Sequence, residues 1–114
     1  MDERTDTPPE YSGDELLRLI SALSNPQRLR IVAALAGGRN YVSQLARDLK
    51  MSRPLLHLHL QKLEAAGLVR SELELSEDGK AMRYFEVTAF ELTLSASAIA
   101  RAVETLSMKP EEES

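Results

Sequence analysis

At 114 residues, with 43% hydrophobic and only 4% aromatic side chains, the chain can build one core, made mostly of Leu, Ile, Val and Ala. It has no cysteine, which excludes disulfides, thiolate metal sites and cysteine redox sensing. The net charge of −4 argues against a polyanionic partner, but its distribution argues back: residues 1–25 carry 2 basic and 6 acidic groups, residues 26–70 carry 8 and 2, and residues 71–114 carry 4 and 10, and it is local potential that steers a polyanion.

The opening MDERTDTPPE is acidic and polar, unlike a signal peptide, and no apolar run approaches the roughly 18 residues of a membrane span. A cytoplasmic protein is the expectation. Residues 1–12 read as a disordered acidic arm. Asp14 is placed to cap a first helix whose apolar stripe is Leu16, Leu17, Ile20 and Leu23. Asn25-Pro26 marks a boundary, with proline suited to the first turn of a second helix, PQRLRIVAALA. Its apolar residues are Leu29, Ile31, Val32 and Leu35, and Gly37-Gly38 stops it.

YVSQLARDLK predicts a short third helix with Val42, Leu45 and Leu49 inward. A fourth runs over about 53–66 and is closed by Gly67. Pro54 disfavours a helical Arg53, which makes Pro54 the expected first helical residue, after a cap at Ser52 or Arg53. The period then changes. LVRSELEL and AMRYFEV alternate around the turn SEDGK, a β-hairpin over about 69–88. FELTL alternates briefly, as strand or loop. SASAIARAVETL predicts a last helix over about 95–107, striped by Ile99, Ala102, Val103 and Leu106, and 108–114 is a charged tail. The expectation is one domain over 13–107, mainly α with a small β-hairpin, in the order of a winged helix-turn-helix.

The fourth helix holds the chain's two histidines in SRPLLHLHLQKL. At about 100° per residue, Leu56, Leu60 and Leu63 fall on one tight stripe that must be core. Pro54, Leu58, Gln61 and Lys62 surround the opposite direction, with Arg53 and His57 on one flank and Leu55 and His59 on the other. The histidines point about 160° apart, so one helix cannot bring both to one ion; shared-face spacings such as i and i+4 do that. His59, nearer the core stripe, reads as a half-buried structural histidine. His57, beside Arg53, reads as a donor that can reach a base edge or a phosphate, and Leu58 as an apolar group that can pack on a thymine methyl.

LSNPQRLRIVAALAGG, VSQLARDLKMSRPLLHLHLQKLEAAGLV and the hairpin ending MRYFEV resemble the ArsR-type winged-helix transcriptional repressors over roughly residues 21–87. The most specific piece is SRPLLHLHLQKLEAAGLV, which resembles the family's recognition helix. The resemblance implies a homodimer on a two-fold symmetric DNA site, with the fourth helix in the major groove. It implies base-facing Arg53, Pro54, His57, Leu58 and Gln61, backbone contacts from Ser52 and Lys62, and wing contacts from Lys80 and Arg83, though the wing register is open. Metal-sensing members carry Cys-x-Cys on the third helix or His/Asp/Glu clusters on the last. Here those positions hold Tyr41, Val42, Ser43 and Gln44, and only Arg101 and Glu104 as charged groups, so neither metal set is present. The segment TAFELTL resembles archaeal-style relatives.

The expected function is therefore a DNA-binding regulator acting as a repressor. Leu16, Leu17, Ile20 and Leu23 of the first helix, with Ile99, Ala102, Val103 and Leu106 of the last, are the expected dimer interface. No metal or cofactor is called for, and any effector, small molecule or protein, is unidentified. Four wing carboxylates (Glu72, Glu74, Glu77, Asp78) keep open a second reading, an interaction adaptor that does not read DNA. An enzyme is not expected: there is no glycine-rich phosphate loop or paired catalytic carboxylates, and nothing near Ser52 and His57 to orient the histidine.

Overall fold

A computed structural model describes residues 11–107. Five helices and three strands follow in the order α1 (Gly13–Leu23), α2 (Pro26–Ala36), β1 (Asn40–Tyr41), α3 (Val42–Leu49), α4 (Arg53–Ala65), β2 (Val69–Leu75), β3 (Ala81–Val87) and α5 (Ala96–Val103). Residues 1–10 of the expected arm and the tail at 108–114 lie outside the described residues. Tyr11 packs against the core, and Ser12 caps α1 in a capping box with Glu15. The cap is thus Ser12 and not Asp14. A serine hydroxyl at this position reaches the Glu15 N–H while the Glu15 carboxylate reaches back to the Ser12 N–H.

The core stripe of α1 also shifts. Leu16, Leu19 and Ala22 are buried, Leu17 is exposed, and Ile20 and Leu23 are half-buried. Asn25 caps α2 with its side-chain oxygen on the Gln27 and Arg28 N–H groups, and Pro26 follows in the first turn. Ile31 and Leu35 are buried, Val32 is half-buried, and Leu29 faces solvent.

Ser52 caps α4 by accepting from the Leu55 N–H, and the Leu56 N–H bonds to the Ser52 carbonyl. The helix therefore begins at Arg53, one residue before the expected Pro54. A proline is tolerated in the first turn because the N–H it lacks has no intrahelical partner there. Leu56, Leu60 and Leu63 are wholly enclosed. At the far end Gly67 takes a positive φ, its N–H bonds to the Glu64 carbonyl, and the Leu68 N–H bonds to that of Leu63. This pairing recovers two orphan carbonyls and buries Leu68 beneath the helix. Thr88 ties the far end of the hairpin to the same corner, its N–H bonding the Leu68 carbonyl and its hydroxyl that of Gly67.

The sheet is antiparallel in the order β1-β3-β2. β1, only two residues long, was not anticipated; Asn40 and Tyr41 pair with Phe85 and Tyr84. Residues 88–95 form no strand, although Phe90 and Leu92 still pack on the core. The last helix ends at Val103, short of the expected 107, and Ser95 caps it through the Ala98 N–H. The core gathers α1, α2, α3, α4, Met51, Leu68, Val69 and Phe85.

Candidate nucleic-acid interface

The leucine stripe of α4 faces the core, so the rest of that helix faces outward. Ser52, Arg53, Pro54, His57, Leu58, Gln61 and Lys62 are all exposed, Leu58 to 58%. The Ser52 oxygen is engaged as a cap, which leaves its proton free to donate.

One flank of α4 opens onto a cleft of about 320 Å³. Arg53 and His57 line it from α4, Val42 and Ser43 from the start of α3, and Met82 and Arg83 from β3. The register explains how Arg83 arrives there. Arg83 lies opposite Leu73 and Phe85 opposite Ser71, so Arg83 shares the face that buries Phe85. Its Nη1 donates to Ser71 Oγ at 3.1 Å, and Ser71 donates to Glu64 Oε2 on α4 at 3.3 Å. Lys80 sits in the hairpin turn, its N–H bonded to Ser76 Oγ at 3.1 Å.

Three of the four wing carboxylates have defined partners or faces, and Glu77 stands exposed in the turn. Glu72 and Glu74 pair with Tyr84 and Met82, on the face opposite Arg83. Arg39 clasps Glu74 with two bonds of 2.7 and 3.0 Å while its guanidinium lies 4.3 Å over the Tyr84 ring. That carboxylate keeps Arg39 firmly protonated. Asp78 bonds the Ser76 hydroxyl and the Lys80 N–H within the turn, which holds its carboxyl below the usual range. Glu72 and Glu74 therefore stand on the face of the hairpin away from Arg83. Sequence alternation held the signal for Glu72 and Glu74, but only the register tells which face is which. The same register leaves Leu73 and Leu75 uncovered on the Arg83 face, which sequence reading had not singled out.

On the other flank, His59 is half-buried, its Nδ1 3.3 Å from Arg28 Nη1, and Arg28 Nε donates to the Ala22 carbonyl at 2.7 Å. Burial, then the charges of Arg28 and Lys62, hold the ring below its usual pKa. The neutral ring accepts from Arg28 on Nδ1 and carries its proton on Nε2. The two histidines thus lie on opposite flanks of α4. Among the described residues no three His, Cys, Asp or Glu side chains gather to hold a metal ion.

The terminal helices meet where Gly13 lies against α5. A Cβ at Gly13 would stand 2.3 Å from the Ala102 carbonyl oxygen. The Gly13 N–H donates to Thr105 Oγ1 at 2.8 Å and the Ser107 N–H to Asp14 Oδ1 at 2.9 Å; the Ser107 side chain first, and then this N–H, lower the Asp14 pKa. Leu16 and Ala102 are buried within the chain; Leu17, Ile99 and Val103 are exposed, and Ile20, Leu23 and Leu106 are half-buried. Leu94, just before α5, is exposed as well.

Residues 25–71, from the cap of α2 into β2, match the model of the bacterial regulatory protein arsR family. An uncharacterized HTH-type transcriptional regulator of Methanocaldococcus jannaschii is 34% identical over 90 residues, covering 79% of this chain and 94% of its own. The chain belongs to the ArsR family. CmtR of Mycobacterium tuberculosis, also an HTH-type transcriptional regulator, is 37% identical over 94 residues, 82% of this chain and 70% of its own. Among solved structures, the homodimeric winged helix-turn-helix DNA-binding domain Mb0332 of Mycobacterium bovis aligns with a TM-score of 0.59 at 26% identity, over 76% of this chain and 71% of that one. HlyU of Vibrio vulnificus aligns with a TM-score of 0.55 at 25% identity, over 77% and 80%. This ArsR-family chain is a transcriptional regulator with a winged helix-turn-helix DNA-binding domain. No helix among the described residues is long and apolar enough to cross a membrane.

Proposed function

We propose that the protein acts in the cytoplasm as a homodimeric repressor on an inverted-repeat operator, and that Arg53, Pro54, His57, Leu58 and Gln61 read its bases. The observation that carries this is the cleft in which Arg53, His57 and Arg83 converge beside the exposed side of α4. Arg53 can place two donors on guanine O6 and N7, and Leu58 can pack on a thymine methyl. Lys62, Lys80 and Arg83 neutralise phosphates, so affinity falls steeply with salt, and the Ser52 hydroxyl donates to the same backbone. Exposed Leu17, Ile99 and Val103, with half-buried Ile20 and Leu106, offer a two-fold related copy an apolar surface, while Leu23 packs on the chain's own core. The buried Leu16 and Ala102 support it from beneath by fixing α5 on α1. In that dimer the two α4 helices address half-sites about one helical turn, or 34–36 Å, apart.

The test is selection from random duplexes at moderate salt. Enrichment of an inverted repeat is expected, and reporter output should fall when that site overlaps a promoter. Arg53→Ala should cost about 1–3 kcal/mol on the selected site and flatten preference at the guanine it reads. A variant that keeps full preference removes Arg53 from the readout; activation of the reporter overturns the repressor role.

A further inference from the structure

The flank of α4 away from the wing holds a second basic site. Between α1, α2 and α4 lies a groove of about 400 Å³ lined by the small residues Ser21, Ala22, Ala65 and Ala66 and by Arg18, Arg28 and Lys62. No lining residue carries a carboxylate. Arg28 is not a loose surface cation: the Ala22 carbonyl at 2.7 Å and His59 Nδ1 at 3.3 Å hold it in place. Asp14, one turn before Arg18, feels its charge but is engaged with the Ser107 N–H.

We infer that this groove is a phosphate site for the DNA backbone, an inference that rests on the reading of the chain as a duplex-DNA binder. A helix seated in the major groove lies between two sugar–phosphate strands, one along each side. On one side of α4 the cleft supplies Arg53 and Arg83. On the other, Arg18, Arg28 and Lys62 face the opposite strand. Three cations in one groove repel one another in the free protein, and an arriving phosphate removes that repulsion. The small lining residues let the backbone approach closely, and the fixed guanidinium of Arg28 loses little freedom on contact. α1 thereby becomes a DNA-contacting helix as well as an assembly helix. His59, between Arg28 and Lys62, reports the event: burial first and then these two cations disfavour its protonation, and the arriving phosphate offsets the cations' share.

The experiment compares wild type, Arg18→Ala and Lys62→Ala on a selected site and on an unrelated duplex across a salt series. Each substitution should reduce the slope of log affinity against log salt by about 0.9, equally on both duplexes. Arg53→Ala, run beside them, should instead erase the difference between the duplexes. In NMR the His59 ring should titrate at higher pH in the complex than in the free protein. A slope unchanged in Arg18→Ala overturns the site even if that of Lys62→Ala falls, because Lys62 meets phosphate in the parent reading as well. If Arg18→Ala loosens the dimer by sedimentation, the His59 titration decides, and an unmoved ring overturns the site. Inorganic phosphate that binds the free protein and shifts His59, with unchanged DNA slopes, overturns the backbone contact in favour of a free oxyanion ligand. Failure of every protein to bind either duplex sinks the DNA reading itself; an unchanged slope with intact binding sinks only this inference.

Discussion

Helices α4 and α5 are both amphipathic, and they spend their apolar residues differently. The 13-residue α4 turns Leu56, Leu60 and Leu63 fully inward, where α1, α2 and α3 meet them. The 8-residue α5 buries only Ala102, and leaves Ile99 46% and Val103 56% exposed. An isolated helix so short is unstable in water. α5 holds its place through Gly13, the Thr105 hydroxyl and the Asp14–Ser107 bond at one end of α1. The reading part of the molecule closes its core with its own residues, whereas the terminal helix pair is half covered. The same stripe pattern is core in one place and leaves an apolar surface open in the other.

Substitution in each helix tests that contrast, beginning with the larger effect. Leu60→Ala should lower stability by about 2–5 kcal/mol in urea unfolding, because a wholly enclosed leucine leaves a cavity among packed neighbours. A loss below about 1 kcal/mol would mean that α4 is not the centre of the core. The double variant Ile99→Asp, Val103→Asp should do the reverse. Unfolding should change little, since both side chains already face solvent, while sedimentation should show a monomer and operator affinity should fall at least tenfold. A variant that stays dimeric moves the interface elsewhere. Gly13→Ala sharpens the comparison further. The added methyl meets the Ala102 carbonyl, so α5 must shift, at a cost of about 1–3 kcal/mol. The expected signature is weaker dimerisation with the near-neighbour NMR signals of Leu56 and Leu63 unmoved; a global loss of structure would contradict it.

The contrast also explains what could be read in advance. The α4 stripe was legible because Leu56, Leu60 and Leu63 fall together at helical spacing, while Leu55 and Leu58 stand apart from that stripe. Its opposite face then followed from angle alone, and with it the separation of His57 from His59. In α1, Leu16, Leu17, Leu19, Ile20 and Leu23 surround most of the helix, so spacing could not choose between Leu17 and Leu19; the packing against α2 and α4 did. Asp14 and Ser12 are both able caps, and the choice turned on Glu15 standing three residues after Ser12. Two-residue β1 carries no period to detect. In the wing, alternation announced two faces but could not say which met α4, so the acidic side and the Arg83 side were indistinguishable until the register was known. The groove at Arg18, Arg28 and Lys62 joins residues from three helices, beyond the reach of any local pattern.

The smallest expected effect concerns pH, and it separates the two flanks of α4. His59 titrates below its usual value in the folded protein, from burial first and then from Arg28 and Lys62. The folded state therefore prefers the neutral ring. Between the lowered folded value and the unfolded value near 6.5, the unfolded chain binds more protons, so stability rises with pH there. The contribution is complete above about 6.5 and is lost as pH falls through the folded value. Asp14 and Asp78, also lowered, act in the same direction but only around and below the carboxylate range, so the two windows separate. Urea unfolding at stepped pH from 7.5 to 5 should show a modest decline in wild type. In His59→Gln, whose amide oxygen can still accept from Arg28, that decline should vanish, whereas His57→Gln should keep it. If the decline persists without His59, the proton is taken up elsewhere and the Arg28–His59 contact does not govern the pH dependence of the fold.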